Sequence, residues 1–153
     1  MARTVAIADL PSLAGQPLGE SDWVEVTQQM IDLFAEATGD HQWIHVDRER
    51  AAAGPFGTTI AHGYLTLSLI PRLAAEAYSL TGVGMGINYG LDRCRFPAPV
   101  PSGSRVRAEV LLADVKPLDG GAYQLSTTVT VAIQGGGKPA CVAQTLSRVY
   151  PAA

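Results

Sequence analysis

The chain has 153 residues and a formal net charge of −3 at pH 7, from 11 basic and 14 acidic side chains. Hydrophobic residues make up 47% of the chain and charged residues only 16%, against about 25% charged in an average soluble domain. The length predicts one domain, and the surplus of apolar residues predicts a subunit interface. Basic residues form no long run, which excludes an electrostatic footprint for nucleic acid or an anionic membrane.

The sequence also lacks the usual signals for a membrane or an oxidising compartment. No stretch reaches the ~18 consecutive apolar residues of a membrane helix, and the apolar stretch in residues 1–10 is too short for a signal-peptide core. We therefore expect a soluble, cytoplasmic protein. Cys94 and Cys141 are too few and too far apart for a disulfide framework or a Cys-x-x-Cys site, and we interpret them as small buried hydrophobic residues.

The first part of the chain predicts a helix after a turn-rich start over residues 1–20. A short strand over 23–26 leads to a helix over 28–38, which Thr27 caps and Gly39 ends. The apolar residues of this helix form one stripe, typical of a helix that packs on one face: Met30, Leu33, Phe34 and Ala37.

A second helix is predicted over residues 63–78. Its first two turns are apolar nearly all round, which indicates a helix enclosed by the fold, and Pro71 is placed to kink it. The intervening segment, 40–63, looks irregular apart from a helical turn over 48–53 that Asp47 caps.

The second half of the chain changes to the two-residue period of β-strands. Apolar and polar residues alternate over 106–112 and 124–133, and further strands are predicted at about 83–88, 91–96 and 139–150. Helices that come first, followed by a run of strands, predict an α+β domain. In such a domain an antiparallel sheet packs on one face against a buried helix.

Asp40 and His45 bracket the densest polar cluster of an otherwise apolar region. A carboxylate and an imidazole held there can share one water molecule, because burial moves their pKa values toward neutrality and the pair then accepts and donates protons. The alternative is structural: Asp40 caps a turn and His45 binds a backbone carbonyl. Spacing alone leaves both open.

Two other chemistries fit this sequence less well. His41, His45 and either Asp40 or Asp47 offer metal ligands, but two histidines four apart suit zinc only on a helix, and the residues between them do not favour one. We therefore expect no metal. A serine hydrolase is disfavoured because no Gly-x-Ser-x-Gly turn exists; Ser68 lies in the predicted buried helix instead.

His62 and Gly63 stand at the start of the predicted buried helix. Unpaired N–H groups and the helix dipole stabilise negative charge there, and glycine lets a ligand approach the main chain. The Gly63 N–H is thus a candidate oxyanion-hole donor, unless Gly63 serves only to avoid a clash with the sheet. The apolar neighbours Ile60 and Ala61 favour a structural role for His62.

Two arginine pairs form a third candidate site. Arg93 and Arg95 share one face of a predicted strand, and Arg105 and Arg107 share one face of the next. If these strands pair, the guanidinium groups form a patch suited to phosphates. The alternative, which we favour for at least two of the four, is a solvated face balanced by nearby acidic residues.

Three runs of residues resemble a known family. Two are similar to the signature of the MaoC-like dehydratases, the (R)-specific enoyl-CoA hydratases of the hotdog fold: Ala35-x-x-Thr38-Gly39-Asp40-x-x-x-Ile44-His45-x-Asp47 and Phe56-Gly57-x-x-Ile60-Ala61-His62-Gly63-x-Leu65. The third resembles the nodulation-protein-N-like branch: Ile87-Asn88-Tyr89-Gly90-Leu91-Asp92-Arg93, followed by Arg95-Phe96-Pro97. The resemblance covers about residues 20–150.

The resemblance implies a single hotdog domain over residues 1–153, with an antiparallel β-sheet wrapped around a long central helix. It implies a homodimer whose sheets join edge to edge, or a higher oligomer. The implied reaction is syn addition of water to a trans-2-enoyl-CoA, giving an (R)-3-hydroxyacyl-CoA without a metal or redox cofactor.

Carried over by position, Asp40 and His45 hold the water, deliver it to C3 and protonate C2, and the Gly63 N–H binds the thioester oxygen. Which side chain passes the proton to C2 stays open, as does the carrier, CoA or acyl-carrier protein. A serine of some relatives corresponds to Ser68 or to Pro71. The implied substrate-binding residues are Trp43, Phe56, His62, Tyr64, Ser68, Asn88, Tyr89, Arg93 and Arg95.

Two alternatives share this fold: a non-catalytic acyl-CoA-binding protein and an acyl-CoA thioesterase. The intact pair of Asp40 and His45 favours hydration over both. The thioesterase ranks last, because the sequence offers no obvious nucleophile and no acidic residue in the central helix before Glu76.

Overall fold

The computed structural model of the chain describes residues 2–153, so Met1 of the expected domain lies outside it. The N-terminal segment contains β1 (Arg3–Ala6), a 3-10 helix (Ile7–Leu13), β2 (Gln16–Glu20) and β3 (Val24–Glu25). The short strand predicted over 23–26 is confirmed as β3, but the sequence analysis described residues 1–20 only as turn-rich and did not indicate β1 or β2. Strands this short show no clear two-residue period, and β2 contains the turn-forming residues Pro17 and Gly19.

Helix α1 (Gln28–Thr38) has the predicted ends. The Thr27 Oγ1 accepts a hydrogen bond from the Met30 N–H at 3.2 Å. Gly39 ends the helix in the left-handed region, with φ of 77°.

The face of α1 that packs inward differs from the predicted apolar stripe. Leu33 is 62% exposed, and Ala37 is also exposed. A polar side chain, Gln28, takes an inward position because its amide group finds hydrogen-bond partners there. The buried positions of the helix are Gln28, Ile31 and Ala35.

Two short helices occupy the segment predicted to be mostly irregular: α2 (Trp43–Val46) and α3 (Arg48–Ala52). The Asp47 carboxylate accepts a hydrogen bond from the Arg50 N–H at 3.0 Å and caps α3 as predicted. The sequence did not indicate α2, because a single helical turn carries no periodic pattern.

The central helix consists of α4 (Gly63–Ser68) and α5 (Ile70–Ala77), with an interruption at Leu69. The interruption lies just before Pro71, which has no N–H to continue the helical ladder. The sequence predicted that this helix is surrounded on nearly all sides. In the single chain it is not, because Tyr64 is 70% exposed. One face alone is buried, formed by Leu65, Leu69, Leu73 and Ala77.

The remaining strands are β4 (Tyr78–Thr81), β5 (Val83–Arg95), β6 (Arg105–Pro117), β7 (Tyr123–Ile133) and β8 (Cys141–Pro151). The antiparallel sheet has the order β2-β6-β7-β8-β5, and β3 also pairs with β6. A separate parallel pair joins β1 to β4. The two strands predicted around residue 90 form one long strand, β5, whose register against β8 shifts at irregularities.

The core lies between the sheet and the central helix. Helix α4 packs on β8, and α5 packs on β6 and β2. The α+β prediction is therefore confirmed: an antiparallel sheet covers one face of a central helix. Within residues 2–153, no helix is long and apolar enough to cross a membrane.

Candidate active site

His45 lies in α2 and is 6% exposed. Its Nδ1 is 2.7 Å from the Ile60 carbonyl oxygen. Because a carbonyl only accepts, Nδ1 carries the hydrogen, and Nε2 of the neutral ring is an acceptor. Burial lowers the pKa of His45 below 6.5, and His62 lowers it further, against the opposing effects of the Ile60 hydrogen bond and of Asp40. The ring is therefore neutral at pH 7.

Gln28 and Thr59, which the sequence analysis missed, hold the backbone on both sides of the His45 ring. The Gln28 amide donates to the His45 carbonyl oxygen at 2.8 Å and to Asp32 Oδ1 at 2.8 Å. Its oxygen accepts a hydrogen bond from the Thr59 hydroxyl, next to Ile60. The sequence carried one indication of this role: Gln28 has the helical spacing of the buried positions Ile31 and Ala35 of α1.

His62 is 2% exposed and links the two predicted catalytic residues. Its Nε2–H donates to the Asp40 backbone carbonyl at 2.9 Å. Its ring stacks on His45 with centroids 3.8 Å apart and planes at 24°, and Phe34 packs against it at 4.9 Å. The Asp40 residue itself is exposed.

One nitrogen from each of His45 and His62 and a carboxylate oxygen of Asp40 lie within 4.8 Å of one another. Two hydrogen bonds of about 2.8 Å together span up to about 5.6 Å, so one water molecule can bridge two polar atoms that lie 4.8 Å apart or less. The structure thus brings Asp40 and His45 together in a geometry that can hold one water molecule.

Two histidines and a carboxylate are also a ligand set that metal ions use. Here the imidazole planes are nearly parallel, so the lone pairs of His45 and His62 do not converge on one point, and one nitrogen of each ring is already hydrogen-bonded. The ligand set considered in the sequence does not assemble, because His41 is exposed beside Glu36 and Asp47 caps α3. The geometry favours water.

Gly63 begins α4, where the first N–H groups of a helix have no intrahelical acceptor. A Cβ at this position would lie 2.9 Å from Cδ2 of Phe96, so the close approach of that ring also requires glycine. Gly63 and His45 line one pocket of about 290 Å³, mostly apolar, with Phe56, Thr66 and Phe96 among the other lining residues.

The other predicted substrate-binding residues lie elsewhere. Ser68, Asn88 and Tyr89 line a second pocket of about 320 Å³, between the central helix and β5 and β8. Tyr64 is exposed and stands edge-on to the Phe96 ring at 6.1 Å. Trp43 is covered by the Arg50 guanidinium, 4.3 Å from its ring centroid. Of the predicted set, Phe56 alone is a lining residue of the His45 pocket.

The four arginines do not form one patch. Strands β5 and β6 are separated in the sheet by β7 and β8, and Arg107 instead pairs with Glu20 at 3.2 Å and covers the Trp23 ring. Arg93 and Arg95 line a surface pocket with Pro97, Thr128, Val142 and Gln144.

That pocket lies on the sheet face away from the central helix. Thr128 on β7 alternates with the buried Val129, and Gln144 on β8 alternates with the buried Ala143. The sequence could not separate the two arginine pairs, because strand order depends on long-range pairing.

A central helix against an antiparallel sheet, with a buried imidazole and a carboxylate beside the helix start, defines a class of fold and site. The chain matches the family model for the MaoC like domain over residues 9–133. It is 58% identical over 143 residues to 3-hydroxyacyl-thioester dehydratase Z of Mycobacterium tuberculosis, covering 94% of this chain and 95% of that protein. It is 50% identical over 143 residues to nodulation protein N of Rhizobium leguminosarum bv. viciae, covering 91% and 88%.

The solved structures give the same result. The unliganded R-hydratase PhaJ1 of Pseudomonas aeruginosa matches with a TM-score of 0.70 and 27% identity, covering 91% of this chain and 83% of that one. The chain therefore belongs to the MaoC-like dehydratase family and has the hotdog fold. It is a dehydratase of the MaoC type.

Proposed function

We propose that the protein catalyses the reversible addition of water to a trans-2-enoyl thioester, giving the (R)-3-hydroxyacyl thioester. The observation that carries this proposal is the neutral, buried His45, whose Nε2 is an acceptor. His45 shares a pocket with Gly63, and one of its ring nitrogens lies within 4.8 Å of an Asp40 carboxylate oxygen. The names of a 3-hydroxyacyl-thioester dehydratase and an R-hydratase among its relatives support the same substrate class.

In the hydration direction, a water molecule donates hydrogen bonds to the Asp40 carboxylate and to His45 Nε2. Its oxygen bonds to C3 while one of its protons passes to this pair of side chains. The pair returns a proton to C2 on the same face of the double bond and regains its starting protonation state. Dehydration follows the same path in reverse.

As water adds to C3, negative charge develops on the thioester oxygen. The Gly63 N–H at the start of α4 donates to that oxygen, where the helix dipole also favours negative charge. The two side chains supply both acid and base and the reaction changes no overall oxidation state, so we propose no metal and no redox cofactor.

The substrate is proposed to lie with its enoyl group in the apolar pocket between Phe56 and Phe96. The carrier, CoA or an acyl-carrier protein, brings phosphate groups. Arg93 and Arg95 are proposed to bind them, because guanidinium groups suit phosphates. Phe96 lines the enoyl pocket, and its chain neighbours Arg95 and Pro97 line the arginine pocket.

We further propose a homodimer that joins the free edges of two β5 strands. Among residues 2–153, β5 pairs only with β8 in the sheet, and its other edge is unpaired. Four of its exposed side chains are large and apolar: Met85, Ile87, Tyr89 and Leu91, of which Met85 and Tyr89 are each 52% exposed. Two identical edges pair antiparallel about a two-fold axis, and a partner there also covers the exposed face of the central helix.

The test is loss of the conjugated-enoyl absorbance of trans-2-enoyl-CoA substrates of short, medium and long chain, with wild type and Asp40→Asn. We expect rapid loss with wild type alone and an (R)-3-hydroxyacyl product. Equal turnover by Asp40→Asn contradicts the assigned roles. Acyl-CoA binding without turnover favours the binding-protein alternative, and release of free thiol favours a thioesterase.

A further inference from the structure

His62 is connected to each of the three residues to which the proposed reaction assigns a role. Its side chain donates to the Asp40 backbone carbonyl, its ring stacks on His45, and it directly precedes Gly63 in the chain. Asp40 belongs to the loop after α1, His45 to α2, and Gly63 to α4. His62 thus connects three separate segments of the chain: one loop and two different helices.

The position of His62 is buried too deeply for the substrate contact expected from the sequence. It is 2% exposed, and it does not line the pocket that contains His45 and Gly63. The buried ring is also held in one orientation, because the Nε2–H bond to Asp40 fixes one edge and Phe34 and His45 contact its faces.

We propose that His62 is a positioning residue for the hydration proposed above: it sets the Asp40 carboxylate and the His45 ring at their mutual distance beside Gly63. The inference rests on that proposed function. It adds a residue that does not touch the substrate but determines where both proton-transferring groups stand.

The protonation state of His62 follows from its partners. Nε2 carries the hydrogen that Asp40 accepts, and Nδ1 is buried without a hydrogen-bond partner in the described part of the chain. A second proton on Nδ1 would have no acceptor and would bring a positive charge against the His45 ring, at 3.8 Å between centroids. The stacked arrangement therefore disfavours a positive charge on both rings at once.

Two substitutions separate the contacts that His62 makes. His62→Phe keeps a ring to stack on His45 and Phe34 but removes the donor to Asp40. His62→Gln keeps an amide N–H for Asp40 but removes the ring. His41→Gln is the matched control. His41 is an exposed histidine that directly follows Asp40 in the loop after α1, and its Nε2 lies 3.7 Å from Glu36 Oε1.

For His62→Phe we expect kcat to fall about 10- to 100-fold with KM nearly unchanged, because misplaced proton-transfer groups slow the chemical step more than binding. His62→Gln recovers most of that loss, and His41→Gln behaves as wild type. Equal kcat for His62→Phe and wild type, or equal losses in His62→Phe and His62→Gln, overturns the proposal.

The pH profile gives a readout that a merely structural role does not move. The charged and titratable groups that act on the His45 ring are His62 and Asp40, and Asp32 reaches His45 only through the Gln28 amide. The His62 ring covers one face of the His45 ring, and burial is the main reason that the pKa of His45 is lowered. Glutamine has no ring to cover that face, so we expect the acid limb of kcat/KM to move to higher pH in His62→Gln. An unchanged limb counts against the proposal.

An NMR titration of the His45 ring in wild type and His62→Gln keeps this inference separate from the proposed function. It needs no turnover, so it decides the coupling of the two rings even if wild type hydrates no enoyl thioester. We expect His45 to titrate at higher pH in His62→Gln. Identical titration curves overturn the coupling, including in the case where His62→Phe fails to fold.

Discussion

Folded proteins usually bury apolar side chains and expose polar ones. The cluster around His45 and the strand β5 both depart from this pattern. The cluster buries polar groups: His45, His62 and Gln28 are each less than 9% exposed, and all bind backbone carbonyls. Strand β5 instead exposes apolar ones, with Ile87 41% and Tyr89 52% exposed.

The difference follows from what each region binds. A buried polar group costs free energy unless it is hydrogen-bonded, so the bond from His45 to Ile60 and the bond from His62 to Asp40 each hold their ring in one orientation. An exposed apolar strand with an unpaired edge is unfavourable in water and is stabilised when another strand covers it. Rigidity in the first region suits proton transfer, and exposure in the second suits association.

The largest effect of any substitution in these two regions is expected at His45, where it concerns turnover. His45→Asn places an amide N–H where Nδ1–H donates to Ile60 and removes the Nε2 acceptor. We expect turnover to fall about 10²- to 10⁴-fold, the usual contribution of a general acid–base residue, while the fold is retained. Steady-state kinetics and circular dichroism measure both, and activity near that of wild type contradicts the assignment.

Charging the free edge of β5 should disrupt association. Ile87→Lys puts a cation in the proposed interface, where we expect it to convert the dimer to monomer, as measured by size-exclusion chromatography with light scattering. Leu111→Lys on β6 is the control, because Leu111 is 38% exposed on a strand at the other side of the sheet. A dimeric Ile87→Lys protein shows that the interface lies elsewhere.

Removing the buried amide should cost stability. Gln28→Leu leaves the His45 carbonyl and the Thr59 hydroxyl without their partner. We expect the free energy of unfolding in urea to fall by about 1–3 kcal/mol, whereas Gln29→Leu, on the exposed side of α1, changes it by about 0.5 kcal/mol or less. Equal effects of the two substitutions exclude a structural role for the Gln28 hydrogen bonds.

The smallest expected effect is on the pH dependence of stability. The pKa of His45 is lowered in the folded protein from 6.5, so between its folded pKa and 6.5 the unfolded chain binds more protons. The contribution of His45 to the free energy of unfolding is therefore complete above pH 6.5 and is lost as the pH falls through that range. Urea denaturation of wild type and His45→Asn at a series of pH values measures the difference, and parallel curves contradict the lowered pKa.

Local features of the fold were predictable from the sequence. The ends of α1 and the cap of α3 depend on Thr27, Gly39 and Asp47, each of which acts within a few residues. Strands β6 and β7 were predictable from the two-residue alternation of apolar and polar side chains along each of them. Asp40 and His45 were singled out as a polar cluster and Gly63 as a helix start, and the resemblance to a family motif supplied their roles in the reaction.

Helix α2 and the short N-terminal strands were missed because elements this short carry no periodic pattern. The other errors concern contacts between distant parts of the chain. Which face of α1 turns inward depends on Gln28 meeting Thr59, 31 residues away. The separation of Arg93 from Arg107 depends on strand order in the sheet. The exposure of Tyr64 depends on how much of the central helix one sheet covers.

By itself, then, the sequence determined the caps, the alternating strands and the identity of the polar residues at the site, because short-range bonding and periodicity specify these within one segment. Only the tertiary structure decided that His62 holds Asp40 and stacks on His45, since that contact closes a loop of 22 residues. The same holds for the exposed edge of β5. Strand pairing and loop closure are set by the packing of the whole core, and no local pattern encodes them.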